Sequence, residues 1–280
     1  MTYSSLHKTG AATLKMSGCL NADFDSFCLL ELCTGLSRTQ LVMQGYKTVN
    51  DETIKKFETL IGRRISGEPL QYIIGQWCFM GFEFYVGSGV LIPRQETEIL
   101  VEIAMEKLKS RDETIVFDLC AGTGCIGISI AQLCKNTKVY LIEKSPLAMN
   151  YLIKNILKYN LNNIKVISGD ICKGFNTFGL PKPDIILSNP PYIPNSMISQ
   201  LQKEVMHEPS LALDGGKDGL EFYDVLIEKW FKSINTGGFM AVECGDGQSG
   251  RIENKFSNVS NHVITVNDLN NIGRVVIAEK

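Results

Sequence analysis

Apolar residues recur at helical spacing in the first quarter of the chain. Between Ser17 and Ile65 they stand three or four positions apart, for example at Phe27, Leu30 and Cys33. That spacing is typical of helices with one buried face. We therefore predict a small helical domain at residues 1–68.

The pattern changes at residues 69–93, where aromatic and β-branched residues are separated by glycines. The two clearest runs are Tyr72-Ile73-Ile74-Gly75 and Phe82-Glu83-Phe84-Tyr85-Val86-Gly87. Such residues favour extended strands, and glycine favours the turns between them. The segment predicts a short β-hairpin that links two domains.

Beyond Glu96, apolar helical stretches alternate with short apolar runs that predict strands. The predicted strands are Ile115 to Leu119, Lys138 to Ile142, Lys165 to Ile167, Ile185 to Ser188 and Phe239 to Glu243. This alternation builds a parallel sheet covered by helices on both faces. Near the end, His262 to Val266 and Arg274 to Ala278 predict a terminal antiparallel pair. We therefore predict an α/β domain at residues 94–280.

Composition narrows the class of protein. A formal net charge of −2 over 280 residues offers no surplus of cations to neutralise phosphates, which argues against stable nucleic-acid binding. A run of about 20 apolar residues is missing, and Met1 to Lys15 lack a secretory signal. We therefore expect a cytoplasmic protein that does not cross a membrane. The nine cysteines lack zinc-type spacing, so we expect reduced thiols and no metal site.

A glycine-rich turn follows the first strand of the α/β domain, in Asp118-Leu119-Cys120-Ala121-Gly122-Thr123-Gly124-Cys125-Ile126-Gly127. Glycines at such a turn let a ligand approach main-chain atoms. The glycine spacing alone is a weak signal, because dinucleotide-binding folds share it. Asp118 favours S-adenosylmethionine, since a carboxylate attracts that cofactor's cationic amino group and repels a pyrophosphate.

Acidic residues follow the next two strands. Glu143 stands where a carboxylate can accept hydrogen bonds from both hydroxyls of a ribose. Asp170 is placed to accept a hydrogen bond from the adenine amine, with Ile171 covering the ring, or it is a simple loop carboxylate. These positions predict a nucleoside site.

The most specific motif is Asn189-Pro190-Pro191-Tyr192, directly after a predicted strand. Ligands of open α/β sheets bind at the carboxyl ends of strands. The Asn189 side-chain oxygen and the Pro190 carbonyl can hold a planar NH₂ group, because prolines bring no competing N–H donors. Tyr192 offers a ring face to the same group. Asn189, Pro190 and Tyr192 are the predicted catalytic residues, and all four residues form the predicted substrate clamp.

With these motifs the chain resembles the protein-(glutamine-N5) methyltransferases that act on peptide-chain release factors, and the resemblance covers nearly the whole sequence. Three further stretches carry it: Arg63-Arg64 with Gly67-Glu68-Pro69-Leu70-Gln71-Tyr72-Ile73, Ile92-Pro93-Arg94 with Glu96-Thr97-Glu98, and Glu208-Pro209 with Ala212-Leu213 and Asp218-Gly219-Leu220. The family implies a helical substrate-recognition domain, a hairpin linker and a seven-stranded Rossmann-like methyltransferase domain.

The resemblance also implies the reaction. The expected activity is methyl transfer from S-adenosylmethionine, leaving S-adenosylhomocysteine, to the glutamine of the Gly-Gly-Gln loop of class 1 release factors, in support of translation termination. We expect a monomeric enzyme. The implied cofactor site comprises Asp118, Cys120, Ala121, Gly122, Thr123, Gly124, Glu143, Asp170, Ile171 and Asn189. Two positions depart from the family, since many members have glycine in place of Cys120 and an aromatic residue in place of Ile171.

Some roles stay open at this point. Arg94, Thr97 and Glu98 either line the methionine end of the cofactor site or merely begin a helix. His207 is assigned no role, because an amide clamp needs no imidazole.

Other functions also compete. An adenine amino-methyltransferase of DNA or RNA would use the same tetrapeptide on a flipped base, although such enzymes usually need a basic groove. A glutamine methyltransferase of a ribosomal protein shares the tetrapeptide but resembles residues 94–98 less. A dehydrogenase or a noncatalytic cofactor-binding module would explain the glycine turn alone.

Overall fold

A computed structural model describes residues 1–109 and 113–280. It divides into two compact units, which we call the helical unit and the sheet unit. The helical unit comprises Met1–Gln76 and Gln202–His207, and the sheet unit comprises Trp77–Leu201 and Glu208–Lys280. The short segment at 202–207 was not anticipated by the contiguous domains predicted from the sequence.

Residues 1–76 form five helices, each of which begins at a polar capping residue or ends at a glycine in a left-handed conformation. They are α1 Tyr3–Met16, α2 Ala22–Thr34, α3 Arg38–Met43, α4 Asp51–Ile65 and α5 Leu70–Ile74. Polar residues cap the starts of three of them, as where the Asn50 side chain accepts a hydrogen bond from the Thr53 amide. Leu14, Leu29 and Phe57 are fully buried between α1, α2 and α4. Helix α1 lies within the predicted helical domain but before Ser17, where the apolar spacing begins, because only Leu6 and Leu14 mark its buried face with large apolar side chains.

The segment Gln202–His207 joins the helical unit through an ion-pair cluster. The guanidinium of Arg64, only 5% exposed, donates from Nε to Asp25 Oδ2 at 2.7 Å and from Nη2 to Glu204. The buried cation is therefore paired with two carboxylates, which leaves one negative charge in excess in the cluster. The chain thus leaves the sheet unit for six residues and then returns.

The prediction of a strand at Tyr72-Ile73-Ile74 was wrong, since these residues belong to α5. Pro69 precedes the helix, and Gly75 ends it in a left-handed conformation with φ of 80°. Burial of Leu70 and Ile73 outweighs β-propensity here, because propensity is a weak determinant in short segments. The hairpin follows directly, as β1 Gln76–Phe79 and β2 Phe82–Tyr85.

The sheet unit is built on a seven-stranded sheet of order β5-β4-β3-β6-β7-β9-β8. Its strands are β3 Thr114–Leu119, β4 Thr137–Glu143, β5 Ile164–Ser168, β6 Ile185–Ser188, β7 Phe239–Glu243, β8 Val263–Asn267 and β9 Gly273–Glu279. Strands β3 to β7 pair in parallel, and β9 runs antiparallel to both β7 and β8. The sheet therefore agrees with the class I methyltransferase fold expected from the family resemblance.

Helices cover both faces of this sheet. They are α6 Glu98–Leu108, α7 Cys125–Leu133, α8 Pro146–Tyr159, α9 Glu221–Lys229 and α10 Ser249–Phe256. Short 3₁₀ helices lie at Ile171–Lys173, Phe175–Thr177, Asn195–Gln200, Val205–His207, Ser210–Ala212 and Phe231–Ser233. Alternate strand residues enter opposite cores: Val116 of β3 packs with α6, α7 and α8, whereas Phe117 packs with α9 and α10.

Strand order reverses between β3 and β6, which is the point where open α/β sheets bind ligands. In the parts of the chain that the structure describes, no helix is long and apolar enough to span a bilayer. Within the same ranges, His, Cys, Asp and Glu side chains form no group of three or more that could hold a metal ion.

Candidate functional site

A cavity lies at the carboxyl ends of β3, β4 and β6. The space between its atoms, open solvent at the mouth included, is about 940 Å³. The predicted residues on its wall are Cys120, Ala121, Gly122, Thr123, Glu143, Asp170, Ile171, Asn189 and Pro191. Four other predicted residues, Asp118, Gly124, Pro190 and Tyr192, lie close in sequence but are not on the wall.

The turn between β3 and α7 forms one side of the cavity. Cys120, Gly122 and Gly124 all adopt positive φ, of 64°, 55° and 80°. For the non-glycine residue Cys120 this left-handed conformation costs about 1–2 kcal/mol. The backbone conformation at Cys120 is therefore one that glycine would adopt without this cost.

Asp118 lies behind the turn and is completely buried. Its Oδ2 accepts a hydrogen bond from the Gly127 amide at 2.9 Å, which anchors the first turn of α7. Burial raises the pKa of Asp118 to about 7, although the Gly127 N–H opposes that shift. Because the carboxylate does not reach the cavity surface, its direct contact with a cofactor stays a prediction.

Glu143 ends β4 on the cavity wall, with 8% of its surface exposed. Its Oε2 accepts a hydrogen bond from the Gly122 amide at 2.8 Å. Its Oε1 accepts from the amides of Lys144 and Ser145 at 2.8 and 2.7 Å. Three backbone donors thus orient the carboxylate. They leave acceptor capacity for a ligand hydroxyl on Oε2, which accepts only one of the three hydrogen bonds.

Asp170 and Ile171 follow β5 on the same wall. Burial would raise the pKa of Asp170, but the Lys144 ammonium, 2.7 Å away, and the Cys172 N–H hold it below its usual value. Ile171 is 4% exposed and is fixed by its carbonyl, which accepts a hydrogen bond from Trp230 Nε1 at 2.9 Å. An anionic acceptor and an apolar side chain therefore stand side by side, as an adenine ring requires.

The tetrapeptide Asn189-Pro190-Pro191-Tyr192 begins at the end of β6. Asn189 Nδ2 donates to Thr97 Oγ1 at 3.1 Å, and Asn189 Oδ1 keeps its capacity to accept from a ligand. The Tyr192 carbonyl accepts from Gln248 Nε2 at 2.8 Å. A Cβ atom on Gly215 would lie only 2.7 Å from the Tyr192 Cα, so a glycine neighbour is required there. The backbone of the tetrapeptide is therefore held firmly.

The structure gives different surroundings to Arg94, Thr97 and Glu98, at the start of α6. Arg94 and Thr97 line the cavity, and Arg94 forms an ion pair with Glu208. Glu208 also accepts a hydrogen bond from the Ile92 amide at 2.9 Å, which ties two stretches of the family signature together. Glu98 instead accepts from the Met80 amide at 2.5 Å in the first turn of α6.

Sequence reasoning missed Glu243, a carboxyl that is only 2% exposed at the end of β7. Thr97 donates a side-chain hydrogen bond to it. Burial raises the pKa of Glu243 to about 7, while that hydrogen bond lowers it. A glutamate that ends an otherwise apolar central strand is the sequence signal that could have drawn attention to it.

Known proteins resemble this chain over both units. Residues 5–75 match the PrmC N-terminal domain, and residues 94–216 match the Methyltransferase small domain. The chain is 39% identical over 236 residues to the release factor glutamine methyltransferase of Thermodesulfovibrio yellowstonii, which covers 83% of this chain and 84% of that protein. It is 36% identical over 265 residues to the release factor glutamine methyltransferase of Geobacter sulfurreducens, covering 94% and 91%.

A solved structure shares the fold over most of the chain. The methyltransferase from Pyrococcus furiosus superposes with a TM-score of 0.52 and 18% sequence identity, covering 80% of this chain and 96% of that one.

Proposed function

Because this chain belongs to the release factor glutamine methyltransferase family, we propose that it methylates the side-chain amide nitrogen of the glutamine in the Gly-Gly-Gln loop of class 1 release factors, with S-adenosylmethionine as methyl donor. The position of Asn189 supports this proposal most directly. Asn189 lies on the wall of the cavity at the switch point of the sheet, and the glycine turn and Glu143 line the same cavity.

The residues of the cavity fit S-adenosylmethionine. The amide-oriented carboxylate of Glu143 would accept a hydrogen bond from a ribose hydroxyl at Oε2. Ile171 would cover the adenine ring, and Asp170 would accept from its amine. A Cβ atom built on Gly122 meets nothing closer than 3.9 Å, so the turn leaves room for close ligand approach. When bound, this cofactor supplies the methyl group as an electrophile.

The clamp must then overcome the weak nucleophilicity of an amide, whose nitrogen lone pair is delocalised into the carbonyl. The Asn189 Oδ1 and the Pro190 carbonyl would accept the two N–H groups of the substrate and so favour a lone pair directed at the methyl group. The methylated nitrogen is acidic and releases a proton to water, so no strong base is needed. Positioning of this kind supplies roughly 7–11 kcal/mol in well-oriented reactions.

The test is methyl transfer to a purified release factor, followed by mass spectrometry. Wild-type protein and S-adenosylmethionine should add a single methyl group to the loop glutamine, and Asn189→Ala should lower the rate at least about 100-fold. The matched control is Asn258→Ala, which removes an exposed asparagine outside the cavity and should keep the wild-type rate.

Two results would contradict the proposal. An unmodified release factor beside methylated DNA, RNA or ribosomal protein would overturn the substrate. Full activity in Asn189→Ala would overturn the clamp while leaving the methyltransferase family unaffected.

A further inference from the structure

Two buried polar side chains stand behind Asn189. Thr97 and Glu243 are each 2% exposed, one at the start of α6 and the other at the end of β7. Asn189 Nδ2 donates to Thr97 Oγ1 at 3.1 Å, and the Thr97 hydroxyl hydrogen-bonds to the Glu243 carboxylate. The three side chains form a chain from the core to the cavity wall.

The chemistry of this chain determines which end of the Asn189 amide faces Thr97. An ionised carboxylate only accepts hydrogen bonds, so the Thr97 proton must point towards Glu243. Thr97 Oγ1 can then only accept from Asn189, which requires the Nδ2 end of the amide. The Oδ1 end is left for a ligand donor. The two ends of an asparagine amide have nearly the same shape, so only a hydrogen-bond network of this kind selects one orientation.

Helix capping does not account for Thr97. It occupies the N-cap position of α6, yet its side chain makes no capping hydrogen bond. Its hydroxyl is used by Asn189 and Glu243 instead. The polar contact therefore serves the tetrapeptide rather than the start of the helix.

Core stability does not account for Glu243 either. Its Oε2 has no hydrogen-bond partner within residues 1–109 and 113–280, although it is buried. A buried acceptor without a partner destabilises a fold. Such groups are typical of functional sites, where chemistry rather than stability maintains them.

We propose that Glu243 and Thr97 are positioning residues that hold Asn189 with its side-chain oxygen towards the substrate NH₂ group. If the amide were reversed, its own NH₂ would face the NH₂ of the substrate glutamine, and two donors cannot bond. This inference rests on the proposed role of Asn189 in holding the substrate amide.

The positioning should depend on pH. Burial raises the pKa of Glu243 to about 7, and a protonated carboxyl can donate to Thr97 and release the orientation of Asn189. The charged groups facing it are Arg94 and Glu96 before α6 and Arg274 on β9. Four weakly acidic side chains also face the Glu243 carboxyl: Tyr192, Tyr223, Cys125 and Cys244, the residue after Glu243. Burial raises the pKa of each, so they stay neutral near pH 7.

The experiment compares Thr97→Val, Thr97→Ser and Glu243→Gln with the wild type. Valine keeps the shape of threonine without the hydroxyl, and serine keeps the hydroxyl. We expect Thr97→Val to lower kcat at least about tenfold with little change in KM for the release factor, because the lost hydrogen bond acts on the reacting amide alone. Thr97→Ser should restore kcat to within about threefold of wild type. Calorimetric titration with S-adenosylmethionine checks that each variant is folded and binds cofactor.

The pH profile gives an independent readout. Wild-type kcat should fall as the pH is lowered through about 7, and Glu243→Gln should be slow with that dependence removed. The Thr97 pair decides the matter even where Glu243→Gln reduces stability.

Each contrary result has a distinct meaning. If Thr97→Val keeps the wild-type kcat while Asn189→Ala is inactive, the positioning role is overturned and the clamp stands. An equal loss in Thr97→Ser and Thr97→Val shows that shape, not the hydroxyl, matters, and also overturns it. An active Asn189→Ala overturns the clamp itself.

Discussion

At the scale of single residues, Asp118 is a carboxyl that its surroundings alter strongly. It has no exposed surface, and Oδ1 has no hydrogen-bond partner in the described ranges of the chain. Burial raises its pKa to about 7, the Gly127 N–H lowers it, and the nearby charge of Glu143 raises it further. The side chain therefore carries a proton below neutral pH in the folded protein and none above about pH 4 in the unfolded chain.

This difference predicts how stability depends on pH. Because the folded state binds the extra proton, the free energy of unfolding should fall as the pH rises from about 4 to about 7 and then level off. Between pH 5 and pH 7, the ionisation of Asp118 should lower the free energy of unfolding by about 2–3 kcal/mol. Asp118→Asn keeps an acceptor for Gly127 and cannot titrate.

Urea unfolding of both proteins at pH 5, 6 and 7 measures the effect. The wild type should lose stability relative to Asp118→Asn over this range. Parallel curves for the two proteins would show that Asp118 ionises normally in the fold.

At the scale of elements, the packing of α7 on β4 holds the glycine turn in place. A Cβ atom on Gly127 would lie 2.1 Å from Leu141 Cδ2 and 3.0 Å from Val139 Cγ1, both on β4. Leu141 and Val139 are buried and surrounded by core residues, so they cannot move aside freely. The third glycine of the motif is therefore a packing requirement.

We predict that Gly127→Ala lowers the free energy of unfolding by about 1–3 kcal/mol, because overpacking outweighs the gain of up to about 1 kcal/mol in helix propensity. It should also weaken binding of S-adenosylhomocysteine, since a shift of α7 displaces the turn. Chemical denaturation and calorimetry measure the two effects.

Gly250→Ala provides the control, because Gly250 lies in the first turn of α10 with nothing within 4 Å of an added Cβ. That substitution should be neutral or slightly stabilising. Equal stability changes in the two variants would show that packing against β4 is not the cause.

At the scale of the whole molecule, the chain forms two units, and every residue on the cavity wall belongs to the sheet unit. A ligand that binds only the folded form stabilises what it binds, by about 2.7 kcal/mol at 100 times its dissociation constant. Stabilisation by the cofactor should therefore be unequal between the units.

Hydrogen exchange with and without S-adenosylhomocysteine checks this expectation. Amides of β3, β4 and β6 should exchange more slowly with ligand, whereas those of α1, α2 and α4 should change little. Equal protection of both units would show that they open in one cooperative transition.

Much of the sheet could be predicted from local patterns. Strand β6 was predicted with the bounds that the structure has, because fully buried parallel strands read as continuous apolar runs. Helix α5 was mistaken for a strand, since Tyr72, Ile73 and Ile74 favour strands intrinsically while tertiary burial and the end at Gly75 make them helical. Local propensity is informative only where packing agrees with it.

The sequence by itself determined the strands of the parallel sheet, the glycine turn and the tetrapeptide, because periodicity and backbone-restricted residues act over a few positions. Only the tertiary structure decided that Asp118 lies behind the turn, and that Thr97 and Glu243 meet Asn189. Thr97 lies 92 positions before Asn189 in the sequence, and Glu243 lies 54 positions after it. Contacts of that kind depend on how the sheet orders its strands and where α6 begins, and a pattern read along the chain does not contain that information.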